Sequence, residues 1–76
     1  MSSISITAAV NAVAEALGLG VVDSEAGVLT GGYELRREGS GRKFVLSDES
    51  GRWTDLRITT HGLVNPRPAL ALVGGC

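Results

Sequence analysis

The sequence predicts an α+β fold: one N-terminal helix of small residues packed on an antiparallel meander of three to four strands. Two patterns carry this expectation. Between Thr7 and Leu17 the only polar residues are Thr7, Asn11 and Glu15, spaced i, i+4, i+8 as on one stripe of a helix. Between Tyr33 and Thr59 lie three extended runs, with side chains assigned to alternate faces, separated by short glycine-containing turns. A length of 76 residues then leaves room for a single domain over 1–76, ending in a flexible Gly74-Gly75-Cys76 tail.

The helix is predicted over Thr7–Leu17, with Ser5 or Thr7 as N-cap and Gly18 as a left-handed C-cap. Every other face of it is apolar, so something must cover most of its sides, and its small side chains allow a close approach. An uncovered part of that face would favour self-association, so a homo-oligomer is one expectation. Val21-Val22 reads as a short extended piece, Asp23–Gly27 as a turn, and Val28-Leu29-Thr30 as a second short piece before a bend at Gly31-Gly32.

In the first run of the meander Tyr33, Leu35 and Arg37 alternate with Glu34, Arg36 and Glu38, and Gly39-Ser40-Gly41 forms a hairpin loop. Arg42–Ser47 is the partner strand, with Phe44 and Leu46 on one face. Asp48–Gly51 turns the chain into Arg52–Thr59, where Thr54, Leu56 and Ile58 share one face and Trp53, Asp55 and Arg57 the other. His61-Gly62 closes the meander. Pro66-Arg67-Pro68 is a rigid corner, and Ala69–Val73 reads as a fourth strand in preference to a short helix.

Composition bounds the function. Seven Lys plus Arg against eight Asp plus Glu give a net charge of −1, which removes the simplest pointer to nucleic acid or an anionic membrane. A hydrophobic fraction of 43% argues against wholesale disorder. Eleven glycines raise the entropic cost of folding, so a partner, an oligomer or a very regular fold is expected to help. The charge is also split, since residues 1–35 hold four acids and no base, while every base lies between Arg36 and Arg67. The lone Cys76 allows no internal disulfide, Met1–Ile6 lacks the basic start of a secretory leader, and no apolar run is long enough to span a membrane. The expected location is the cytoplasm or the interior of a larger particle.

No catalytic set emerges. His61 stands alone, Asp48 and Glu49 are neighbours in a turn, and one His with one Cys makes no metal site. Gly18-Leu19-Gly20 follows a helix and has Asp23 where a third glycine is needed, so it is no dinucleotide fingerprint. The reading is therefore of a non-enzymatic binding protein without cofactors. Its expected partner is another macromolecule, foremost a protein, in the manner of an inhibitor, an adaptor or a particle subunit. Phage and mobile-element genes commonly encode chains of this kind. The candidate contact residues are Arg36, Arg42, Lys43, Arg52, Trp53 and Arg57, because Trp and Arg dominate interface energetics and mixed charges set register.

Two alternatives stand beside this. Aromatics interleaved with arginines on a sheet face also stack single-stranded bases, although four acids among the six bases of residues 36–57 leave little surplus for phosphates. The Gly74-Gly75 pair is similar to the diglycine end of small sulfur carriers and ubiquitin-like modifiers. That resemblance implies a carrier activated at its carboxylate. Here Cys76 would first have to be removed, and those folds open with a β-hairpin rather than a helix.

Overall fold

The structure, a computed structural model, describes residues 4–39 and 42–74. Ser40, Gly41, Gly75 and Cys76 thus lie outside it, and with them part of the predicted hairpin loop and most of the predicted tail.

Helix α1 (Ile6–Leu17) forms as the periodicity predicts. The Ser5 hydroxyl accepts from the Ala8 N–H at 3.2 Å. Gly18, at φ +71°, ends the helix, and the Leu19 N–H bonds back to the Ala14 carbonyl at 2.9 Å. The Gly18 N–H bonds the same carbonyl, so two successive amides share one acceptor where the helix ends. Ala9, Val10, Val13, Ala14 and Leu17 are buried, while Thr7, Asn11 and Glu15 face solvent.

The sheet has six strands rather than three to four, and each lies beside its sequence neighbour. β1 (Val21–Asp23) and β2 (Val28–Leu29) are the two short pieces before the meander. The Asp23 carboxylate shapes the turn between them by accepting from the Glu25 and Ala26 amides, both at 3.1 Å. β3 (Glu34–Arg37), β4 (Lys43–Ser47) and β5 (Trp53–Thr59) are the predicted meander, and β6 (Gly62–Leu63) extends it past the His61 turn. Helix α1 lies against β1, β2, β3, β5 and β6, so the sheet curls around it. What was expected to remain as an open apolar helix face is reduced to Ala8 and Ala16, with Ala12 half-buried.

The register sets the core. Leu35, Leu46 and Thr54 form one cross-strand row and Arg37, Phe44 and Leu56 the next. With Leu29, Ile58 and the buried face of α1 these side chains make one cluster, in which Phe44 and Leu46 are fully enclosed. Arg37 closes the end of this face, its guanidinium 4.8 Å from the Phe44 ring centre and bonded to the Ile4 carbonyl. Tyr33 packs on the same cluster and directs its hydroxyl to the Val73 carbonyl at 3.4 Å.

Residues 69–73 are helical rather than a fourth strand: α2 spans Arg67–Gly74. The register explains why. Ile58 pairs with Leu63, Thr59 with Gly62, and the Val64 N–H donates to the Arg57 carbonyl at 2.9 Å. Continued in the same register, β6 would set Pro66 opposite Asp55 and Pro68 opposite Trp53, the two places where the ladder needs an N–H. Proline has none. In the first turn of a helix the missing N–H costs nothing, and the Pro66 carbonyl instead accepts from the Leu70 N–H at 2.8 Å. Ala69 and Leu72, one helical turn apart, then bury against the core.

One glycine is structurally demanding. Gly27 sits buried at φ +79°, and a Cβ there would lie 2.2 Å from the Leu35 carbonyl oxygen. Gly51 has a similar left-handed backbone, φ +95°, but open space around it. Gly27→Ala is therefore expected to cost about 2–4 kcal/mol and Gly51→Ala about 1–2 kcal/mol. Urea denaturation of the two variants checks the order.

Candidate functional site

The outer face of the meander, away from α1, is built by strict alternation along three strands. Its rows are Glu34, Ser47 and Trp53; then Arg36, Val45 and Asp55; then Lys43 and Arg57, with Glu38 next to Lys43 through its amide hydrogen bond at 2.9 Å. Four of the six predicted contact residues, Arg36, Lys43, Trp53 and Arg57, thus share one surface, and all are exposed. Trp53 is 63% exposed, a large aromatic left in water on a chain with few aromatics.

The other two lie elsewhere. Arg42 precedes β4 opposite Ile58, whose N–H donates to its carbonyl at 2.9 Å, so it stands on the opposite pleat at the rim. Arg52 is engaged in structure. Its Nε meets the Asp48 carboxylate at 3.2 Å, and a longer contact of 3.4 Å reaches the Leu72 carbonyl of α2. By contrast, Arg36, Lys43 and Arg57 make no ion pair within 4 Å among the described residues.

Val45 was not foreseen. It points to the outer face yet is only 6% exposed, because Arg36 and Asp55 flank it in register and Trp53 stands diagonal to it. Arg36, Glu38 and Trp53 wall a cleft of about 290 Å³ over Val45 and Ser47. The uninterrupted apolar run Phe44-Val45-Leu46 was the available signal, since such a strand is covered on both faces. The face also carries Glu34, Glu38 and Asp55 against Arg36, Lys43 and Arg57, three acids to three bases.

His61 is an exposed turn residue whose N–H donates to the Thr59 hydroxyl at 3.1 Å. Among the described residues no three of His, Cys, Asp and Glu gather as metal ligands would, and no helix is long and apolar enough to cross a membrane. No family model matches the chain, and neither a curated protein nor a solved structure is significantly similar to it.

The turn that presents Trp53 is held by Asp48. Its carboxylate accepts from the Ser50 hydroxyl at 2.8 Å and from the Ser50 and Arg52 amides at 3.0 Å each. The Ser50 hydroxyl foremost holds the carboxyl below its ordinary value of 3.8; burial, next in size, opposes it, and the amide and guanidinium of Arg52 and the Ser50 amide add to the lowering. A carboxyl depressed in the folded state stabilises it above the unfolded value and stops doing so as pH falls through the folded one. Asp48→Ala should therefore lower the melting temperature at neutral pH. The gap to the wild type should close only as pH drops below 3.8, which thermal unfolding across an acid series checks.

Proposed function

We propose that the chain is a non-catalytic binding protein that recognises another protein with the outer face of β3–β5. The single observation carrying this reading is the Arg36–Trp53 cleft over Val45 and Ser47: an exposed tryptophan and an arginine with no ion pair among the described residues flank a floor that contains the buried Val45 on the middle strand of the meander. Trp and Arg next to a desolvated pocket are the groups that dominate protein interfaces, and a polar rim such as Glu34, Glu38, Lys43 and Arg57 excludes water and fixes register. A face of three acids and three bases supports a protein partner over nucleic acid, whose phosphates need a net positive surface. Inhibitor, adaptor and particle-subunit roles all use such a face.

The test is affinity capture with an N-terminally tagged chain from the lysate of its native host, at low and high salt. A discrete protein should survive high salt. Trp53→Ala and Arg36→Glu should each weaken its retention by about tenfold or more, while Asn11→Ala on the opposite side should leave it intact. Nucleic acid released by salt, or retention indifferent to Trp53, overturns the reading.

A further inference from the structure

The edge of β5 carries a second, more specific feature. Along an antiparallel strand the backbone groups of successive residues point alternately to the two neighbours. The Ile58 N–H bonds to Arg42 and the Arg52 carbonyl accepts from Asp48, both at 2.9 Å, so Arg52, Thr54, Leu56 and Ile58 face β4. Trp53, Asp55 and Arg57 face the other way. Arg57 is met by the Val64 N–H, and there the ladder ends, because the next partners in register are Pro66 and Pro68. Among the described residues the outward amides and carbonyls of Trp53 and Asp55 have no hydrogen-bond partner. Beside them runs an open groove of about 490 Å³ between β5 and α2, floored by Thr54, Pro68, Ala71 and Leu72.

We infer that this edge is a strand-addition site, which takes an extended segment of a partner protein with a basic side chain opposite Asp55 and an apolar one opposite Trp53. The inference rests on the protein-binding reading above and gives its partner a conformation. Only an extended backbone offers N–H and C=O groups at the spacing of a strand edge, and such main-chain bonds supply affinity while alternate side chains supply specificity. The Asp55 carboxylate forms no ion pair or hydrogen bond among the described residues, so it is available to a lysine or arginine. The exposed Trp53 ring offers its surface to an aliphatic or aromatic side chain two residues along. The residue between them turns toward Pro68 and Ala71 and must be small and apolar. A second copy of β5 fits less well, since its own α2 flanks the same edge and a symmetric register about Asp55 opposes two carboxylates.

The test begins with a displayed library of randomised octapeptides selected on the immobilised full chain. Enriched peptides should share a Lys or Arg two positions from an apolar residue, without proline at the positions whose amides meet Asp55 and Trp53. N-methylating the selected peptide at the amide aimed at the Asp55 carbonyl should weaken binding by about tenfold or more, since it removes a donor and leaves the protein untouched. In NMR spectra the Trp53 and Asp55 amides should shift and become protected from exchange, and Asp55→Lys should turn the selection toward acidic peptides. No enriched peptide, or an N-methylated one that binds equally well, overturns the inference and leaves the prolines as guards against edge-to-edge aggregation. Shifts confined to Arg36, Lys43 and Val45 overturn the edge site while leaving the outer face as the binding surface.

Discussion

The fold depends on how thinly α1 is clothed. Its inward side chains are Ala9, Val10, Val13, Ala14 and Leu17, so strands can approach its backbone closely and the sheet can curl until strands at both ends touch the same helix. A bulkier helix would hold the sheet off and open it. In exchange, the chain needs one large group to fill the centre, and Phe44 on the middle strand of the meander provides it. Short strands follow from the same geometry, because a tightly curled sheet around one three-turn helix has no room for long ones. Left-handed glycines at 27, 31, 32, 39, 51 and 62 supply the reversals between them.

Curling also decides what the opposite surface becomes. With one side of α1 held in the curl of the sheet and α2 laid over the end of the core, the outer side of β3–β5 is a broad surface that no described element covers. Strand alternation makes it charged, register makes the charges cancel, and Val45 gives it an apolar floor. The two prolines then add a boundary. They divert the chain after β6 away from the edge of β5 and into α2, and so leave the face and the strand edge adjoining at Trp53, the residue common to both.

The helix and the meander were legible in the sequence because each has a period, at i, i+4, i+8 for Thr7, Asn11 and Glu15, and at two for the runs around Leu35 and Leu56, with the apolar run at Phe44 set between two turns. Membership of the outer face was legible for the same reason: Arg36, Trp53 and Arg57 fall on it by parity alone. The misreadings occurred where local pattern and long-range register disagree. Leu70 and Leu72 alternate as in a strand, yet Pro66 and Pro68 meet β5 at the two positions that require a donor, and this is visible only once the pairing of Arg57 with Val64 is known. Two-residue strands such as Val28–Leu29 and Gly62–Leu63 have no period of their own and exist only through their neighbours. Arg52 is the surface cation it reads as, and it also bonds a turn aspartate four residues earlier.

Because strand order equals chain order, most of the sheet can assemble from hairpins whose two arms are already close along the chain, which makes ring closure cheap and collapse fast. Contacts of α1 with β5, β6 and α2 are among the exceptions, and they join the two halves of the chain. The curl is thus closed by the least local contacts in the chain: the hairpins are short-range, and only the helix at the start of the sequence ties their two ends together.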